Sequence, residues 1–134
     1  MTLFGAIGIS GSGIDAAQTW INTTAGNLAN ANDAVPTSQA AYATQTPFFV
    51  PVGVPGQVGA GVQVAGVQLG DTVGHLEYAP SNPMHDAQGN VRVPDVNTGA
   101  QMVGLIQAQT DYQANASALN HAKQAYQSAL TIGS

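Results

Sequence analysis

Large apolar residues return at every seventh position near both ends of this chain and nowhere in its middle. Ile7, Ile14, Ile21 and Leu28 form one such row, with Ala17, Thr24 and Ala31 in the next. Leu105, Tyr112, Leu119 and Tyr126 form another, and Met102, Ala116 and Leu130 lie in a second row beside it. A seven-residue repeat marks a helix packed lengthwise against other helices. The spacing predicts helices over residues 7–28 and 98–132. Ser12 with Asp15, and Thr98 with Gln101, have the form of capping boxes. Asn30, Asn32 and Asp33 ahead of Pro36 mark a helix stop, since asparagine tolerates the left-handed conformation. Gly5, Gly8, Gly11 and Gly13 each cost about 1 kcal/mol in a helix relative to alanine. The first dozen residues are therefore expected to fray in isolation and to become helical only on packing.

The second helix would run roughly 50 Å. A compact chain of this length has a diameter of roughly 36 Å, so the helix must protrude or find partners. The seams are also thin, because alanine, threonine and glutamine fill many second-row positions. Burying an Ile or Leu contributes about 1.5–3 kcal/mol, while ordering each residue costs about 1–2 kcal/mol. Two such helices alone come out marginal and need neighbours.

The middle follows a different pattern. Residues 41–52 read as an extended segment that Pro47 and Pro51 assign to a sheet edge. Seven of the 16 glycines fall between positions 53 and 74. Val62 and Val64 alternate with polar residues, and Val67 and Leu69 resume after a phase shift at Ala65–Gly66, the pattern of a strand with a bulge. Residues 75–78 read as one more short strand. A turn-rich connector follows, with Pro80, Pro83, Gly89 and Pro94, in which Val91-Arg92-Val93 is the only extended piece. The expected fold is α+β. Long heptad helices at 1–34 and 98–134 pack together as a coiled-coil-like bundle, and a small loop-rich β module at 35–97 is inserted between them.

Composition narrows the function. The 134-residue chain carries net charge −5, yet only 7% of its residues are charged, against about 25% in an ordinary soluble domain. Arg92 and Lys123 are its only lysine or arginine residues. Nucleic-acid binding needs several phosphate contacts that this chain does not supply, and the same shortage argues against direct lipid binding. Asp15 and Asp33 are the only charges before Asp71. A surface so poor in charge suits a subunit buried among copies or relatives, which avoids the desolvation of ions. No cysteine is present, so disulfides and thiolate metal sites are excluded. The start, MTLFGAIGIS, lacks the basic and long apolar regions of a cleavable signal peptide, and no run is long enough to span a bilayer.

Candidate chemistry is sparse. Gly11-Ser12-Gly13-Ile14-Asp15-Ala16 matches a dinucleotide-binding fingerprint, with Asp33 about twenty residues on. Against this, the heptad repeat begins at Ile7, inside the strand the fingerprint requires, and no second βαβ unit follows. His75, His85 and His121 are scattered, and the aspartates form no close helical pair for acid–base work. No catalytic, cofactor or metal site is expected.

Asn27-Leu28-Ala29-Asn30-Ala31-Asn32, ending the first heptad helix, resembles the signature of the flagellar axial proteins, the rod, hook and hook-associated subunits. Tyr78-Ala79-Pro80-Ser81-Asn82-Pro83 with Asp86, Gly89, Val91, Pro94 and Val96-Asn97 is similar to the connector of a basal-body rod protein. So are Tyr112-Gln113-Ala114-Asn115, Leu119-Asn120 and the ending Leu130-Thr131-Ile132-Gly133. The family usually carries an arginine near the position of Trp20 and more charge on both helices. Here glutamine, threonine and alanine stand there, so neutral contacts are expected. The resemblance implies a non-enzymatic structural subunit of the proximal rod in the flagellar basal body, outside the cytoplasmic membrane. Its implied partners are further copies, other rod subunits and the flagellar type III export apparatus, which would pass it without a cleavable signal. A paralogous rod or hook subunit is the nearest alternative, and the 78–97 connector discriminates against it.

Overall fold

The computed structural model describes residues 3–53 and 59–132. Gly133, part of the family-like ending, lies outside them. The element order is α1 (Leu3–Ala29), β1 (Gln45–Val52), β2 (Gly61–Leu69), β3 (His75–Tyr78), β4 (Asn90–Val93) and α2 (Thr98–Ile132). This is the α+β arrangement expected: two long terminal helices with a small β region between them.

The helices pair antiparallel. Phe4, at the start of α1, meets Tyr126 near the end of α2 with ring centroids 5.3 Å apart. At the opposite end Asn27 of α1 bonds Gln101 of α2 at 2.9 Å. Between them the helices approach closely through small residues. A Cβ placed on Gly13 would lie 2.5 Å from Asn115 Oδ1, so glycine is required there unless the asparagine withdraws. On α1 the buried positions include Ser10, Ala16, Ala17, Thr24 and Asn27; on α2 they are Ala108 and Ala122.

The packed row therefore differs from the expected one on α2. Gln101, Ala108, Asn115 and Ala122 recur at seven-residue spacing as half-buried or buried positions, beside half-buried Leu105, Tyr112 and Leu119. Met102 and Leu130 stand outside this face at 58% and 56% exposure, and Tyr126 is exposed apart from its edge contact with Phe4. On α1, Ile7, Ile14, Ile21 and Leu28 are half-buried flanks to the row Ser10, Ala17, Thr24 and Ala31. Close helix approach selects small side chains at the line of contact and displaces large ones to its margins.

The caps also differ from expectation. Ser12 lies inside α1, donating to Ile9 O at 2.8 Å and accepting from Val62 N–H at 3.1 Å. The cap of α2 is Asn97, whose Oδ1 accepts from Ala100 N–H at 2.9 Å, while Gln101 turns to Asn27. Helix α1 ends without a left-handed residue, since no non-glycine among the described residues has positive φ. Instead Asn30 Nδ2 donates to Gly26 O at 2.8 Å.

Two antiparallel hairpins make up the β region. β1 pairs with β2, and the register slips where Phe48 faces Gly66 and Phe49 faces Val64. Ala65 is thus the extra, bulged residue, where the alternation changes phase. The hairpin rests on α1 through Trp20 and Phe49, 6.4 Å apart, and through Ser12 and Val62. β3 pairs with β4, and Val35 adds a bridge on the far side of β4.

Candidate functional site

The helix pair, the first hairpin and the loop between them meet at Asn27, which is 1% exposed. Its Nδ2 donates to Gln45 O at 2.8 Å and to Gln101 Oε1 at 2.9 Å. Its Oδ1 accepts from Gln45 N–H at 2.8 Å and Tyr42 Oη at 3.0 Å. A primary amide has two donors and two acceptor lone pairs, and here all four are used. One side chain thus ties α1 to α2, to the edge of β1 and to the loop that precedes it. No other residue type has this shape and donor–acceptor set at this length; aspartate would present two acceptors where two donors are needed.

The rest of the motif surrounds this hub. Leu28 is half-buried, Ala31 is buried, Ala29 and Asn32 are exposed, and Asn30 closes the last turn. Reasoning from sequence did not find Tyr42, Gln45 or Gln101 as partners. They lie up to 74 positions away, and no spacing rule links them.

The connector closes the second hairpin. Ala79 N–H donates to Gly89 O at 2.9 Å, and Gly89 has φ +83°, with the Tyr78 ring 2.8 Å from where its Cβ would sit. A side chain there is excluded by both backbone conformation and contact. Asn82 Oδ1 accepts from Met84 N–H, and Asp86 Oδ1 accepts from both Gln88 and Asn90 N–H at 2.9 Å. Pro80 and Pro83 are exposed, whereas Pro94 is buried where the chain turns toward α2. The backbone N–H of Asn90, followed by burial acting the other way and by Gln88 N–H, holds the Asp86 carboxyl below its ordinary value. A depressed carboxyl supports the folded loop above its unfolded pKa and loses that support as pH falls through the folded one. The protection of the Gln88 and Asn90 amides, measured relative to their intrinsic exchange rates, will therefore fall as pH drops below about 4, the ordinary aspartate range. Asp86→Asn will remove that dependence.

Arg92 anchors the second hairpin to two loops. Its Nε and Nη2 donate to Thr37 O at 3.2 and 2.8 Å, and its Nη1 donates to Val73 O. One of the chain's two strong cations is thus committed to neutral carbonyls. His75 Nδ1 and Asp95 Oδ1 lie 2.7 Å apart in a hydrogen bond between two exposed side chains.

The described residues do not bring the candidate chemical groups of the sequence together. Gly11 to Ala16 lies in the interior of α1, where its backbone N–H groups are engaged in the helix. The phosphate-facing helix N-terminus that a dinucleotide fingerprint needs is absent there, so that alternative is not favoured. No three potential metal ligands cluster among the described residues. A groove of about 210 Å³ between α1, α2 and the first hairpin is lined by Gly13, Ala16, Trp20, Phe49, Asp111 and Asn115 among others. It places no nucleophile beside a base. No described helix is long and apolar enough to cross a membrane.

What the surface offers instead is apolar area. On α2, Met102, Val103, Ile106, Leu130 and Ile132 are between 56% and 86% exposed.

Comparison with known proteins agrees with the residue-level reading. Residues 87–132 match the family model described as the flagellar basal body rod FlgEFG protein C-terminal. The flagellar basal-body rod protein FlgC of Salmonella typhimurium is 38% identical over 134 residues, covering 99% of each chain. The FlgC proteins of Yersinia enterocolitica and Escherichia coli are each 35% identical over 133 residues, again covering 99% of both chains. The chain belongs to the flagellar basal-body rod protein FlgC family.

Proposed function

We propose that this chain is a non-enzymatic subunit of the proximal rod, joined to further copies and to other rod subunits through the outer face of α2. As a member of the FlgC family it is a structural component of the flagellar basal-body rod. The observation that carries the finer reading is the position of apolar area on α2. Its buried positions are alanines, Ala108 and Ala122, while Met102, Val103 and Ile106 face outward at 58–65% exposure. In an isolated domain large apolar side chains occupy the core; exposed ones grouped on one helix mark an interaction surface. The scarcity of charge on both helices fits a subunit enclosed by neighbours. Export through the flagellar type III apparatus is part of the same proposal, as is function without a cofactor, nucleic acid or direct lipid contact. The full-length similarity to FlgC proteins gives no support to the paralogous reading.

The test is Ile106→Asp, which places a charge at an exposed helical position. Circular dichroism of the purified chain should be unchanged, because surface substitutions usually cost within about 0.5 kcal/mol. The variant should be lost from isolated basal bodies, with motility abolished. Normal incorporation of Ile106→Asp would refute this assignment of the surface.

A further inference from the structure

Each hairpin has outward backbone groups that are engaged within the chain on one edge and outward groups left free at exposed apolar residues on the other. In an antiparallel pair, facing residues alternate between those that bond each other and those whose backbone groups point outward. In the first hairpin Gly70 N–H donates to Thr44 O at 2.7 Å. Stepping by two along the register makes Thr46/Gln68 and Phe48/Gly66 the bonded pairs. The backbones of Gln45 and Pro47 then point outward from β1, and those of Val67 and Leu69 outward from β2. In the second hairpin the Ala79–Gly89 bond sets the same alternation. It turns Leu76 and Tyr78 outward from β3, and Asn90 and Arg92 outward from β4.

Near Gln45 on β1 and along β4 the outward groups are engaged. On β1, Gln45 N–H and C=O are both taken by the Asn27 amide, and Pro47 has no N–H to offer. On β4, Arg92 exchanges both backbone bonds with Val35 at 2.9 Å. Asn90 N–H goes to the Asp86 carboxylate, and Asn90 O accepts from Asp86 N–H. The outward groups of Val67 and Leu69 on β2, and of Leu76 and Tyr78 on β3, meet no partner among the described residues. These four residues are also 41%, 64%, 56% and 71% exposed. Native edge strands are usually blunted by charge, proline or cover, yet β2 has no charged residue or proline.

We infer that β2 of one copy pairs antiparallel with β3 of a second copy, Leu69 opposite Leu76 and Val67 opposite Tyr78. The two edges match: each presents two outward residues spaced by two, with apolar side chains on the same face as each other. Glu77, between Leu76 and Tyr78, falls on the other face. Because the joined edges differ, the contact is heterologous. It leaves a free β2 and a free β3 at the two ends and propagates as an open array, whereas β2–β2 or β3–β3 pairing would close on itself. The inference rests on the reading of this chain as a self-assembling rod subunit and adds an edge contact between copies to the contact assigned to α2.

The chain has no cysteine, so introduced thiols report cleanly. In a hydrogen-bonded antiparallel pair facing Cα atoms lie about 5.5 Å apart, within disulfide reach. Cells producing both Leu69→Cys and Leu76→Cys chains should yield basal bodies in which mild oxidation forms a covalent dimer containing one of each. Either variant alone should form none. Three results overturn the proposal: self-dimers of one variant, no mixed dimer in basal bodies that contain both, or bridging to a different rod subunit. Reducing gels of the same basal bodies test the rod reading separately, by whether both variants are present at all. If they are not, oxidation of the mixed purified full-length chains at high concentration decides, and absence of a mixed dimer there also overturns it. Val67→Pro, added to the Leu69→Cys chain, removes an outward N–H without removing a bond inside the hairpin. It should lower the mixed-dimer yield about tenfold, and an undiminished yield refutes the edge pairing. Gln68→Ala should leave it unchanged.

Discussion

Replacing Asn27 with alanine will destabilise the chain by about 3–5 kcal/mol, among the largest effects a single substitution produces. The cost does not come from lost side-chain volume. It comes from what the substitution strands: Gln45 N–H and C=O, the Tyr42 hydroxyl and the Gln101 amide all lose a partner at a position 1% exposed. A buried polar group without a partner costs about 1–3 kcal/mol. Relaxation and entry of water recover part of the sum. Asn27→Asp should be comparably harmful, because the amide donors become acceptors facing Gln45 O. Asn32→Ala, in the same motif but exposed, should stay within about 0.5 kcal/mol. The measurement is urea unfolding followed by fluorescence of Trp20, the chain's single tryptophan, which packs on Phe49 between α1 and the first hairpin. A loss below about 1 kcal/mol for Asn27→Ala would show that the four bonds are not cooperative in the folded state.

Enlarging a small residue at the helix contact will do more damage than shrinking a large one. Ala108 has no exposed surface and lies on the face of α2 that approaches α1. Ala108→Leu adds three carbons at a fully buried position, and overpacking of this kind costs about 1–3 kcal/mol, occasionally more. Leu119 and Leu28 are only half-buried, so truncation to alanine removes roughly half of a full transfer term, about 1 kcal/mol each. The ordering Ala108→Leu worse than Leu119→Ala, read from urea midpoints, is the expected result. The reverse ordering would mean that the large flanking residues, and not the small central ones, hold the pair together.

Both results concern residues that sequence patterning ranks low. The apolar seven-residue rows were enough to place two long helices, because helical periodicity is local and needs only the identity of residues on one strand of chain. The bulge at Ala65, the strands at 75–78 and 91–93, and the turn at Gly89 were legible for the same reason: each follows from alternation or turn chemistry within a few positions. The line of contact was not. Gln101, Ala108, Asn115 and Ala122 share a heptad position as consistently as Leu105, Tyr112 and Leu119 do, but a hydrophobic pattern gives alanine and amides little weight.

The sequence by itself thus determined the elements, their order, the shortage of charge and the likeness to flagellar axial proteins. Only the tertiary structure decided which face of each helix is inside, that Asn97 and not Thr98 caps α2, and that Asn27 spends its amide on β1 and Gln101. The physical reason is range. Helix and turn propensities act between residues a few positions apart. The choice of small residues for a close helix contact, and of one amide to fill four bonds from three segments, depends on which distant groups folding brings within hydrogen-bond distance.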